Sequence, residues 1–284
     1  MASQREIRRR IRDVGSIKQI TRAMQFVAAS KLKRAQESTL AARPYAAKID
    51  EVLADIAAVL GAEAHPLLRT PPAGGRRLLV LITSDRGLAG PLNTNTVRFA
   101  ARIITEHTGD LAVVSVGRKG RDAIRRARVP LEAHFEGFGD RPTFADVLPL
   151  ARLVTDEYVT GATTRIDLVY SSFVSTLVQR PVLDQILPVE PSDDTAGIPG
   201  NQFIFEPAAG EVLERLIPRY VATRIYHAVL EARASEESSR MVAMKNATEN
   251  ADELIDDYTL AYNKVRQANI TREMIEIATG AQAR

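Results

Sequence analysis

Leu78-Leu79-Val80-Leu81-Ile82, followed by the turn Thr83-Ser84-Asp85-Arg86-Gly87-Leu88-Ala89-Gly90, decides how the rest of this chain is read. An unbroken apolar run predicts a strand covered on both faces, since a half-exposed strand would alternate apolar with polar. The glycines of the turn end it. Just upstream, Pro71-Pro72-Ala73-Gly74-Gly75 reads as a linker, so a new folding unit begins here.

Downstream, helix and strand patterns alternate. Asn93 to His107 predicts an amphipathic helix with Val97, Ala101 and Ile104 inward, and Leu111 to Val116 a second strand. A short basic helix around Ala123 follows Gly117, then a helix from Thr143 to Val159, a β-rich run Ile166–Val174 and a shorter strand from Val182 to Val189. Such alternation predicts βαβ units and a mainly parallel, Rossmann-like α/β domain over residues 75–190. Residues 191–201, with Asp193, Asp194, Gly197, Pro199 and Gly200, read as a loop leading out of it.

On both sides of this domain the period changes to that of a helix. Upstream, in a segment spanning residues 1–66, Ile7, Ile11, Val14, Ile17, Ile20, Met24, Val27 and Leu32 recur at spacings of three and four, with one extra residue before Leu32. Ile49, Leu53, Ile56 and Leu60 resume the stripe past Pro44, where a bend is expected. Ser3 and Glu6 form a capping-box pattern at the start, and Gly61 and Pro66 stop the helix. Residues 207–284 carry a second stripe through Val212, Leu216, Val221, Ile225, Val229, Met241, Met244, Ala251, Ile255, Leu260, Val265 and Ala268. It is imperfect between Ala232 and Ser239, and Pro218 is expected to kink it or split off a short first helix. At ~1.5 Å per residue these helices are on the order of 85 and 100 Å long, more than a domain can bury. They can satisfy their stripes by pairing as an antiparallel coiled coil. Arg266 to Arg284 stays patterned almost to the end, whereas most chain ends are polar and frayed. That end is expected to be gripped by something.

Composition narrows the chemistry. Cysteine is absent, which excludes disulfides, thiol catalysis and thiol redox control. His65, His107, His134 and His227 are scattered without metal-ligand spacing. No apolar run reaches the roughly 18 residues of a membrane span, and no apolar core follows the basic N-terminus, so a soluble protein, held to a membrane only through partners, is expected. Arg5, Arg8, Arg9, Arg10, Arg12, Lys18, Arg22, Lys31, Lys33 and Arg34 face only Glu6 and Asp13 before residue 35. This basic face is either a solvated helix surface or a surface for an acidic partner.

The turn Gly87-Leu88-Ala89-Gly90 follows a buried strand, where α/β folds bind phosphate, but it lacks both the Gly-x-Gly-x-x-Gly and the Gly-Lys-Ser/Thr spacing. Tight-turn glycines without a ligand are the plainer reading. Gly117-Arg118-Lys119-Gly120 could accept an anion or simply be solvated. Asp85 and Asp167 have no sequence partner that marks an acid/base pair, and Ser84 has no nucleophile-elbow neighbourhood. No catalytic centre, cofactor site or metal site is expected.

Four motifs in order resemble the gamma subunit of F-type ATP synthase, bacterial type. They are Ile20-Thr21-Arg22-Ala23-Met24 with Val27-Ala28-Ala29-Ser30-Lys31, then Ser84-Asp85-Arg86-Gly87-Leu88, then Arg240-Met241-Val242-Ala243-Met244-Lys245, and finally Ile270-Thr271-Arg272-Glu273 with Glu276, Gly280 and Ala281. The resemblance spans nearly the whole chain. It implies a non-catalytic rotor shaft on the cytoplasmic face of the bacterial plasma membrane. Its paired terminal helices would enter a hexamer of alpha and beta subunits, and its α/β domain would stand near the epsilon subunit and the c-subunit ring, with catalysis on beta. It also implies roles for residues. Lys18, Arg22, Met24, Arg240, Arg266, Gln267, Thr271, Glu273 and Glu276 would contact beta. Met274, Ile275 and Ile277 would form a bearing tip, and Phe205 and Glu206 would touch the ring and epsilon. Ala89 and Pro91 stand where many relatives carry Cys and Gly, which counts against any nucleotide role for that turn, and the thiol regulation of chloroplast relatives is not expected. Two rival readings remain at this point: an α/β nucleotide-binding enzyme with coiled-coil arms, and an adaptor whose basic arm binds DNA or anionic lipid.

Overall fold

A computed structural model describes residues 3–60, 65–69, 75–189 and 209–282. The run Leu78–Ile82 lies in strand β1 (Arg77–Ile82) and is buried throughout. β1 is the middle of a five-stranded sheet of order β3-β2-β1-β4-β5, with β2 (Leu111–Val116), β3 (Leu131–Phe135), β4 (Arg165–Phe173) and β5 (Gln179–Leu187). β1 pairs in parallel with β2 and β4, and β2 with β3, while β5 closes one edge antiparallel to β4. The long helices α1 (Gln4–Leu60) and α5 (Ala209–Gln282) begin and end the chain; α2 (Leu92–Glu106), α3 (Arg118–Ala127) and α4 (Phe144–Val159) fill the crossovers.

The chain divides into two compact units, Ala29–Ser239, and Met1–Ala28 with Arg240–Arg284. In the first, the period of two along the strands sorts side chains to the two faces of the sheet. Leu78, Val80, Ile82, Val114, Ile166 and Leu168 meet α4 through Val147, Leu150 and Val154, and α5 through Ile217, Val221, Ile225 and Val229; Ile49 and Leu53 of α1 join this layer. Leu79, Leu81, Val113 and Val169 meet Ala100 of α2 and Ile124 of α3 on the opposite face. Each such side chain contributes about 1.5–3 kcal/mol of apolar burial. Asp167, fully buried, accepts hydrogen bonds from Arg77 Nε at 2.6 Å and Arg165 Nε at 2.9 Å. It is a structural ion pair at the start of β4.

Four sequence readings need correction here. The buried residues of α2 are Leu92, Thr96 and Ala100; of the expected Val97, Ala101 and Ile104, Ile104 packs against the core while Ala101 is exposed. β3 was not anticipated, because Leu131-Glu132-Ala133-His134-Phe135 is only half-buried and shows a weak alternation. β5 begins at Gln179 rather than Val182, with Pro181 tolerated because an edge strand has a side that needs no donor. Pro218 does not split off a separate helix, and α5 runs through it as α1 runs through Pro44. A proline inside a helix costs ~3 kcal/mol, and Ile217, Tyr220 and Val221, all buried beside it, offset that.

In the second unit α1 and α5 are antiparallel, since rising numbers on one meet falling numbers on the other. Gln4 Nε2 donates to Tyr262 Oη at 3.0 Å, Lys18 pairs with Asp252, and Thr21 Oγ1 lies 2.8 Å from Thr248 Oγ1. Buried and half-buried positions on α1 fall at Ile7, Ile11, Val14, Lys18, Thr21, Gln25 and Ala28, and on α5 at Met244, Thr248, Ala251, Ile255, Tyr258, Tyr262 and Val265. Both sets alternate spacings of four and three, the heptad seam of a coiled coil.

Candidate functional site

Two places could carry function: the crevice at the carboxyl ends of the strands, where open α/β sheets bind ligands, and the outer surface of the coil.

The crevice is closed by the chain's own groups. Asp85 Oδ1 accepts from Arg118 N at the start of α3 at 3.0 Å, and its Oδ2 accepts from Gly137 N at 3.1 Å. A carboxylate thus already occupies the position where a helix N-terminus would receive a phosphate. Gly117, at φ 91°, brings the backbone so near β1 that a Cβ would stand 2.1 Å from Thr83 O. Ser84 Oγ donates to Arg86 O at 2.6 Å, and its backbone N–H donates to Asn93 Oδ1 at 3.1 Å, so it is tied into the turn. Val229, Ala232, Arg233 and Glu236 of α5 close over these residues, leaving a cavity of about 60 Å³. Small-molecule sites occupy roughly 300–1,000 Å³, so this space is too small for a nucleotide. The glycines shape a turn, and the reading of that turn as a phosphate-binding site is not supported.

On the coil the sequence stripe and the seam diverge. The apolar series leaves the seam after Val14 and rejoins it at Leu32, which accounts for the extra residue noted before Leu32. Between them the seam takes Lys18, Thr21 and Gln25, while Ile17 (52% exposed), Ile20 (59%), Phe26 (63%) and Val27 (54%) point outward. Leu260, expected in the stripe of α5, is also outside the seam at 70% exposure. The threonines of the seam are satisfied internally: Thr21 Oγ1 donates to Lys18 O or shares a proton with Thr248, whose own Oγ1 donates to Met244 O at 2.8 Å. Arg8 Nη2 donates to Tyr262 Oη at 2.5 Å and holds that phenol below its ordinary pKa. Apolar side chains that their own coil leaves uncovered, among exposed arginines, are a surface for a partner.

The ATP synthase family model matches residues 3–283. The ATP synthase gamma chain of Dehalococcoides mccartyi is 47% identical over 286 residues, covering 100% of this chain and 99% of the relative. That of Herpetosiphon aurantiacus is 46% identical with the same coverage. The chain belongs to the ATP synthase gamma-chain family. As a gamma chain it is a non-catalytic stalk subunit, the central shaft of its complex. Among solved structures, a chain of the Euglena gracilis mitochondrial ATP synthase has the same fold, with a TM-score of 0.69 at 20% identity over 99% of this chain and 94% of that one.

Within the chain the residues singled out from sequence are placed unevenly. Lys18 lies in the seam, paired with Asp252; Arg22 is exposed beside the outward row, and Met24 is half-buried. Arg240 is 9% exposed, which leaves a partner little of it to touch. Arg266, Gln267, Glu273 and Glu276 are exposed, as is Thr271, whose Oγ1 donates to Gln267 O at 3.0 Å. Met274, Ile275 and Ile277 are 60%, 58% and 72% exposed. Every residue from Ile270 to Thr279 is exposed, past the seam positions that α1 covers. Phe205 and Glu206 lie outside the described residues. The outward row Ile17, Ile20, Phe26 and Val27 was missed as a site. Its signal was the irregular spacing before Leu32 and an aromatic residue on a basic face.

Proposed function

We propose that this chain carries rotation from a c-subunit ring in the membrane to the catalytic alpha and beta subunits, with residues 75–190 as the foot and residues 1–66 paired with 207–284 as the shaft. It would work at the cytoplasmic face of a bacterial plasma membrane, held there through partners; among the described residues no helix is long and apolar enough to cross a membrane. The observation that carries this reading is the outward display of apolar side chains along α1 and at the tip of α5, left exposed by the described residues. Ile17, Ile20, Phe26 and Val27 would join Lys18, Arg22 and Met24 in meeting beta. Arg266, Gln267, Thr271, Glu273 and Glu276 would meet it near the tip, with Arg240 at the edge. Met274, Ile275 and Ile277 would slide in a greasy collar, where apolar contact has no preferred angle. Phe205 and Glu206 would face the ring and epsilon.

A coupling element shifts a partner's equilibrium only by the difference between its contacts with that partner's states. Two unlike helices supply that difference, because each catalytic subunit meets another face of them. Reconstitution with alpha and beta subunits tests the reading: ATP hydrolysis should turn a probe attached to this chain. Hydrolysis with a stationary probe would refute it.

A further inference from the structure

For a shaft to turn as one body, torque must cross from the α/β fold to the two helices. Most of that junction is apolar, with Ile217, Val221, Ile225 and Val229 of α5 against the sheet layer, and such contact holds by area without fixing an angle. Directional contacts fix angle. Asp140, in the loop between β3 and α4, makes two of them to two different helices: Oδ2 takes Lys31 Nζ of α1 at 2.7 Å, and Oδ1 takes Arg233 Nη2 of α5 at 2.5 Å. Arg233 also holds Glu236 at 2.5 Å and Glu237 at 3.0 Å, carboxylates 5% and 1% exposed. The hydrogen bond from Lys31 holds the Asp140 carboxyl below the usual carboxylate range, so it is ionised at neutral pH. Lys31 and Arg233 are themselves largely covered, at 23% and 16% exposure, while the Asp140 side chain is 48% exposed, so solvent screens these pairs in part and their value lies in geometry more than in energy.

We propose that Asp140 is a torsional pin, a single carboxylate that fastens both long helices to the α/β fold so that neither rolls on it under load. The inference rests on the shaft reading above. Neighbouring polar contacts do a different job: Ser238 Oγ donates to Thr176 O at 2.7 Å and Ser239 Oγ to Ala89 O at 2.7 Å, which grips α5 alone. Asp140 adds α1 to the grip. It acts as a positioning residue, through Lys31 and Arg233, and touches no reacting group.

The test uses the assembled complex with the hexamer fixed and stalled and a probe on the α/β fold, reading the variance of the probe's angle. In Asp140→Ala two cations are left side by side without their shared anion, and the variance should rise roughly twofold. Asp140→Asn should raise it less and Asp140→Glu should restore it, while Asp122→Asn, a substitution on exposed α3, should leave it unchanged. The unfolding midpoint of the free chain, read in parallel, separates loosening from misfolding. If Asp140→Ala does not assemble, Asp140→Asn of the same shape decides by the same reading. An assembled Asp140 variant with the unsubstituted variance overturns the pin while the shaft stands. An unsubstituted complex that never rotates overturns both.

Discussion

The two units of this chain treat the same coiled-coil pattern in opposite ways. In Ala29–Ser239 the seam of α1 runs through Leu32, Ala35, Thr39, Ile49 and Leu53, and apolar side chains are covered by the chain's own sheet and helices. In Met1–Ala28 with Arg240–Arg284 the seam passes through Lys18, Thr21 and Gln25, and Ile17, Ile20, Phe26 and Val27 lie outside it. Polar residues at seam positions cost stability and fix register. The difference teaches that an apolar stripe marks what will be covered in the working assembly, and only part of that cover is the chain itself.

If that is so, large-to-small changes must be severe in the first unit and mild in the second. Leu168, fully buried in the sheet, should cost about 2–5 kcal/mol as Leu168→Ala, read as a fall in the urea midpoint of the isolated chain. Ile20→Ala, at a site 59% exposed, should change the same midpoint by less than ~0.5 kcal/mol. Equal losses at the two sites would erase the contrast.

A smaller effect sharpens it. Thr21→Val removes one hydroxyl from the pair with Thr248 and should cost about 0.5–1.5 kcal/mol. Adding Thr248→Val should recover most of that, because the seam is then apolar on both sides and no hydroxyl is left facing a methyl. The double variant should lose register, seen as a second population in spin-label distances between α1 and α5. A double variant with one sharp distance would show that the hydroxyl pair sets no register.

The chain's own residues announced the α/β sheet, since a doubly covered strand needs an unbroken apolar run and Leu78–Ile82 supplies one. They also announced the two long helices, whose periodicity persists over many turns. Less legible were β3, which has one half-covered face, and which alanine of α2 is buried, since Ala100 and Ala101 are alike in composition and differ only in what stands opposite. At the candidate site, Thr271, Glu273 and Glu276 were singled out by their match to a family motif, and all three are exposed. Ile17, Ile20 and Val27 were hidden as a surface because, together with Met24, they recur at spacings of three and four that imitate a seam. Asp140 could not be found this way at all: Lys31 and Arg233 lie far from it in sequence, and only the fold assembles them.

The smallest effect on stability should come from the largest deletion. Residues Thr271 to Thr279 are all exposed, so cutting the chain after Ile270 removes little packing among the described residues. A helix end without tertiary cover contributes little, since helical stability in proteins comes mainly from packing one face. The unfolding midpoint of the truncated chain should therefore move by less than ~0.5 kcal/mol, while coupled ATP synthesis by the reconstituted complex falls. A midpoint lowered by more than ~1 kcal/mol would mean that Met274, Ile275 and Ile277 cover part of this chain, and the contrast between the units would fail at its far end. A stable truncated chain with lower coupling places the value of those side chains in a partner, which is how exposed apolar residues persist on a helix that has no need of them to fold.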